Sequence, residues 1–176
     1  MKRIGFVVLI ATMMTIGAGR ANAAAGWVYL NGSGFSYTPT LGATNQVLGR
    51  ASIATGLIVN GELTGTSVTL SGTRSGLSNL KLWISTDNVF GGDSQFGSTV
   101  GADPGAGMME FNGSTIQPAS TTFYLFLTAD VAGGASGSVI PTVSGMTSNA
   151  SPFSFFPGPM ADNAFLPVTV SLITAE

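Results

Sequence analysis

The chain has 176 residues, of which 44% are hydrophobic and 8% charged, with 25 Gly, 8 Pro, no Cys and no His. Without His or Cys there is no Ser-His-Asp triad, no thiol nucleophile, no usual zinc ligand set and no disulfide to staple the fold. The formal net charge of −2 makes nucleic acid and anionic membrane surfaces poor partners.

The chain begins with Lys2 and Arg3, continues through an apolar run from Ile4 to about Gly17, and reaches Ala21-Asn22-Ala23, a small-x-small site. The run is shorter than the roughly 20 residues of a membrane-spanning helix, so residues 1–23 are read as a cleaved secretory signal peptide. Residues 24–176 are then one domain, with no membrane span after cleavage. The expected location is extracellular or at the cell surface, with the periplasm open as well. Removing Lys2, Arg3 and Arg20 leaves three basic residues (Arg50, Arg74, Lys81) against eight acidic ones, a charge of −5. With so few ionised groups, where an ordinary domain has about 25%, Ser, Thr, Asn and Gly must supply the solvated surface.

Residues 26–37 alternate around an Asn31-Gly32 step and predict two short strands or one kinked strand. Val47, Ala51, Ile53, Leu57 and Val59 mark one face of the next strand, with Arg50 and Ser52 opposite, up to a turn at Asn60-Gly61. Residues 62–71 return with Val68 and Leu70 inward, and 73–78 read as a turn. Leu80, Leu82 and Ile84 then point inward and Lys81 and Trp83 outward. A loop over 87–94 precedes a short strand at 95–100. Gly and Pro break 101–107, and Met109 and Phe111 flank a solvated Glu110.

Phe123, Leu125, Leu127, Ala129 and Val131 share one face of a period-two pattern, and Tyr124, Phe126, Thr128 and Asp130 the other. Apolar on both faces in its first half, this strand belongs in the middle of a sheet. Residues 133–137 read as a turn, followed by Val139, Pro141 and Val143 on one face, with Pro141 placing that strand at an edge or bulge. Residues 148–164 set Phe153, Phe155 and Phe156 among prolines and read as a loop over the core, and Val168, Val170 and Leu172 face inward in a last strand. About eight or nine strands with turn signals between them predict an all-β fold, a β-sandwich of two antiparallel sheets.

Residues 47–143 resemble the small Ig-like domain at the N-terminus of bacterial BNR-repeat neuraminidases and of other secreted bacterial proteins. The resemblance rests on SVTLSGTRSGLSNL, NLKLWIST, QFGSTV, an FNGS-type strand and FYLFLTADV followed by a Gly/Ala/Ser turn. It implies an Ig-like β-sandwich and carries no catalytic motif. Ser85-Thr86-Asp87 begins like an Asp-box, but Val89 stands where that motif has glycine, so sialidase activity is not implied.

Three groups of residues are candidates for function. Trp83, Tyr124 and Phe126 share an outward face and form a candidate platform for stacking on sugar rings, although strand aromatics more often pack in cores. Asp87, Asn88 and Asp93 offer oxygen ligands to a hard cation such as Ca²⁺, but turn formation is the favoured role and no cofactor is expected. Trp27, Tyr29, Phe153, Phe155 and Phe156 lie in end segments suited to docking on another subunit. The acidic residues Asp87, Asp93, Asp103 and Glu110 cluster in sequence without a spacing that pairs them, and Lys81, the sole mature lysine, falls on a solvated face. Asn31, Asn112 and Asn149 each begin an N-x-S/T triplet that also suits a turn, and no glycan is expected there. The chain is thus expected to be a non-enzymatic structural or interaction module whose partners are copies of itself, other cell-surface proteins or a glycan.

Overall fold

A computed structural model describes residues 28–31, 36–55, 60–149, 157–160 and 163–166. The described residues form ten strands and no helix: β1 (Val28–Asn31), β2 (Ser36–Tyr37), β3 (Gln46–Ala54), β4 (Gly61–Ser71), β5 (Arg74–Ser85), β6 (Ser94–Ala102), β7 (Met108–Gln117), β8 (Thr122–Ser148), β9 (Gly158–Pro159) and β10 (Asn163–Leu166). The class is all-β, built of antiparallel sheets in a sandwich-like arrangement; β10 and β2 alone among these strands pair in parallel.

β8 is the centre of the molecule. Its first half lies between β3 and β5, and β1 and β6 extend that sheet on either side. Its second half lies between β4 and β9, with β7 beyond β4. A 27-residue strand therefore leaves one sheet and enters the other. Leu125, Leu127 and Ala129 from the first sheet and Leu63, Val68 and Phe111 from the second meet in one hydrophobic cluster with essentially no solvent exposure. At ~25 cal/mol per Å² of apolar surface removed from water, that cluster is the main stabilising term in a chain without disulfides.

β4 and β5 run antiparallel to β8 along almost its whole length and change sheets beside it. The change occurs at Gly72 and Thr73, opposite Gly137 and Ser138. Ser138 N–H donates to the Thr73 carbonyl at 2.6 Å. Gly72 and Gly137 have φ of 99° and 103°. A Cβ on Gly137 would overlap the Thr73 carbonyl, and one on Gly72 would overlap the Ser138 carbonyl. Only glycine lets the two backbones come so close. Arg74 fixes the outside of this corner: Nε and Nη2 reach Asp103 Oδ2 and Oδ1 at 2.7 and 2.8 Å, and further N–H groups reach the Gly72 and Gly105 carbonyls. The fork geometry ties the 103–107 turn to the corner.

Several expectations are corrected here. Residues 133–137 do not make a hairpin turn. Leu77 pairs with Val131 and Ser75 with Ser136, so residues 132–135 bulge out of a continuous β8, opposite Gly76 at φ 74°. The turn expected over 73–78 shrinks to residues 72–73, because Arg74 already pairs with Gly137. A register shift at Leu48 puts that side chain in the core and turns Val47 to the outer face. Pro141 is flanked on both sides, by Leu70 of β4 and by the segment around β9. Its carbonyl accepts from Met160 N–H at 2.7 Å, so its missing N–H falls on that side and the β4 ladder is uninterrupted. Met160 also accepts from Arg50 N–H at 2.9 Å and thereby links both sheets. Part of the 148–164 stretch read as a loop is thus the short strand β9. Leu57, Val59, Phe153, Phe155, Phe156, Val168, Val170 and Leu172 lie outside the described residues.

Gly137→Ala should lower unfolding free energy by about 3 kcal/mol or more. Gly134→Ala, at an exposed bulge position with open space around it, should change it by about 0.5 kcal/mol or less. Urea denaturation of both variants against the parent measures the difference.

Candidate binding face

The outward positions of β3, β8 and β5 form one face. Cross-strand pairing places Arg50, Phe126 and Trp83 in one row and Ser52, Tyr124 and Ser85 in the next. The loop after β5 folds back over this face. Phe90, at its middle, contacts Trp83 edge-on with ring centroids 5.6 Å apart and Phe126 at 5.7 Å. Phe126 is 3% exposed. Trp83 donates its indole N–H to Thr128 Oγ1 at 2.8 Å, and the Arg50 guanidinium lies 5.8 Å from the Tyr124 ring centroid. Trp83, Tyr124 and Phe126 do share a face, as alternation requires, but Phe90 covers its centre.

The candidate cation ligands hold this loop in place. Asp87 Oδ1 accepts from Val89 N–H at 2.9 Å and from the Ser85 hydroxyl, and Asp93 Oδ2 accepts from Gly91 N–H at 3.0 Å. Arg50 Nη1 donates to the Asn88 carbonyl at 3.1 Å. Asp87 thus closes an Asx turn on the amide two residues on, and Asp93 accepts from the amide two residues before it. No group of three or more acidic side chains suited to a metal occurs among the described residues. The four acids close in sequence are dispersed: Asp103 pairs with Arg74, and Glu110 accepts from the Ser67 hydroxyl on the second sheet. Tyr29 pairs with Ile53 through its backbone; Trp27, Phe153, Phe155 and Phe156 are outside the described residues.

Beside Phe90 opens a cleft of about 390 Å³, within the usual range for small ligands, lined by Tyr37, Pro39, Asn45, Gln46, Val47 and Phe90. Burial raises the Tyr37 hydroxyl above its ordinary pKa, partly offset by the Arg50 charge. Gln46 spends its amide on the Thr44 carbonyl and Thr40 N–H. Next to the cleft lies a polar network invisible in the linear pattern. Asp130 accepts from Asn45 N–H at 2.9 Å and from Asn79 Nδ2 at 2.8 Å, while Lys81 Nζ donates to Asn45 Oδ1 at 2.8 Å. Asn45 and Asn79 both sit at positive φ, 50° and 48°, a conformation Asn adopts more readily than most residues. The Asn79 and Asn45 hydrogen bonds, with a smaller contribution from the Lys81 charge, hold the Asp130 carboxyl below the usual range.

No family model, no curated protein and no solved structure matches this chain. The site must be interpreted from its own geometry.

Phe90→Ala should cost about 1–2 kcal/mol, since two aromatic contacts vanish. In a Trp27→Phe background, Trp83 fluorescence should also become more accessible to acrylamide quenching. The depressed Asp130 pKa adds stability that is fully present above the unfolded carboxylate value, near pH 4, and is lost as pH falls through the folded value. Asp130→Asn should therefore flatten the stability profile below about pH 4, as measured by thermal melts across that window.

Proposed function

We propose that this chain is a secreted, non-enzymatic structural or interaction module at the cell surface, and that it associates with copies of itself. The reading joins the signal-like N-terminus and the Ig-like resemblance to one observation about charge. Side-chain charges are largely engaged within the subunit: Arg74 with Asp103, Lys81 in the Asn45–Asp130 network, Arg50 against Tyr124 and Asn88, Glu110 with Ser67, and Glu62 with Ser114 and Asn149. These hydrogen bonds do not cancel the net negative charge of the mature chain, but with so few ionised side chains most of the surface a second copy meets is uncharged. That copy also meets Met108 and Ile116 on β7, 56% and 69% exposed.

A second reading, a glycan-binding accessory module, draws on the cleft flanked by Tyr37 and Phe90. Aromatic walls beside amide groups suit a sugar ring.

Light scattering on residues 24–176 decides the first reading. The expected mass exceeds that of the monomer and changes little between low and high salt, because apolar contacts are not screened. A strict monomer at all concentrations overturns it. Binding on a glycan array that is lost with Phe90→Ala supports the second reading in its place.

A further inference from the structure

β6 pairs with β5 and with no other described strand, and β7 pairs with β4 in the same way, so each sheet ends on this side in an open edge. The two edges touch where Gly97 faces Asn112 and Gly113 faces the Phe96 ring; a Cβ at Gly97 would lie 2.9 Å from Asn112 N, and one at Gly113 2.8 Å from the ring. Toward Ser94 and Gln117 a groove of about 520 Å³ separates them, with Ile84, Phe96, Ile116 and Pro118 among its lining and no ionised side chain.

Resting on the self-association reading above, we infer that this groove receives the segment 167–173 of a second copy, inserted as a strand between β6 and β7. Open backbone edges supply hydrogen bonds to an extended guest, and the groove, where Ile84, Phe96, Ile116 and Pro118 lie among uncharged Ser, Thr and Gln side chains, takes apolar and hydroxyl side chains in alternation. The segment PVTVSLI fits that demand. It alternates Val168, Val170 and Leu172 with Thr169, Ser171 and Ile173, and like the groove it carries no charge. The edges run three to four residues, roughly 10–13 Å, which three or four guest residues span, so the segment 167–173 is long enough. The Phe-rich stretch 153–156 is bracketed by prolines that cannot donate to a ladder and suits the groove less well.

A chain's own segment does not reach. Leu166 pairs with Gly137, which on its other side pairs with Arg74 at the start of β5. The groove is at Ile84, near the far end of β5. That is about eight regular strand rises, roughly 26 Å, along β5, and three strand spacings, about 14 Å, across it. Ile173 is seven residues past Leu166 and extends at most roughly 23 Å. The guest must come from another copy.

Because the chain has no cysteine, thiol cross-linking reports cleanly. Full mature chains carrying Ser94→Cys are mixed with chains carrying Ser171→Cys and oxidised. The expected disulfide heterodimer forms about tenfold or more faster than with Ala132→Cys, an exposed bulge position, because docking raises the effective concentration of the thiol. Ile116→Lys on the Ser94→Cys chain should remove that advantage without unfolding a surface position. Equal rates for Ser171→Cys and Ala132→Cys overturn the inference. So does a doubly substituted chain that closes on itself at high dilution. Oligomers that persist undiminished in chains carrying Ile116→Lys overturn the groove assignment while leaving self-association standing; a strict monomer removes both.

Discussion

The fold depends on a backbone contact at its corner, where Ser138 N–H meets the Thr73 carbonyl between two glycines of positive φ. A two-stranded ribbon twists smoothly on its own. To leave one sheet and join another it must bend sharply, and a Cβ at either glycine would fill the space the opposite carbonyl occupies. The two halves of β8 can then face each other with Leu127 and Val143 in the same core. Arg74 reinforces the bend from outside with one of the few positive charges in the chain, nearly buried and matched in fork geometry by Asp103.

The strands that were easy to read are those whose neighbours enforce a strict period of two. Residues 122–131 announced a central strand because both faces were apolar, and β3 and β5 do flank it. Glu110 between Met109 and Phe111 is equally plain, since one face of β7 is wet. What was not legible arises from contacts between residues distant in sequence. A run such as Ala132-Gly133-Gly134-Ala135 suits a hairpin and a bulge equally; the choice is made by Thr73 and Arg74, more than fifty residues earlier. The Leu48 bulge, which reverses Val47, leaves no mark on composition. Pro141 misled because a proline excludes hydrogen bonding on one side of a strand only, and β4 uses the other.

The candidate face follows the same division. Alternation correctly gathered Trp83, Tyr124 and Phe126, but a loop that folds back has no period, so the covering role of Phe90 emerged only in three dimensions. Asn45, Asn79 and Asp130 are ordinary turn and strand residues in sequence. Their network exists because two asparagines occupy left-handed backbone positions on separate elements and converge on one carboxylate. Asp87 and Asp93, which in isolation suggest a cation loop, direct oxygens to their own amides and stiffen the segment that carries Phe90.

The sharing of β8 between sheets has a consequence for the order in which the molecule can form. β3, β4 and β5 all precede β8 in the chain, and each takes a main partner from it. Until residue 122 and those after it are present, the first sheet has no middle and the second lacks its link to the first. A nascent chain stopped short of that point holds the β4–β7 and β5–β6 pairs but lacks the strand that joins the two sheets. Closure is dominated by pairings across long stretches of sequence, so it is slow compared with local structure. The two-sheet fold therefore closes only after the last third of the chain has joined the strands before it.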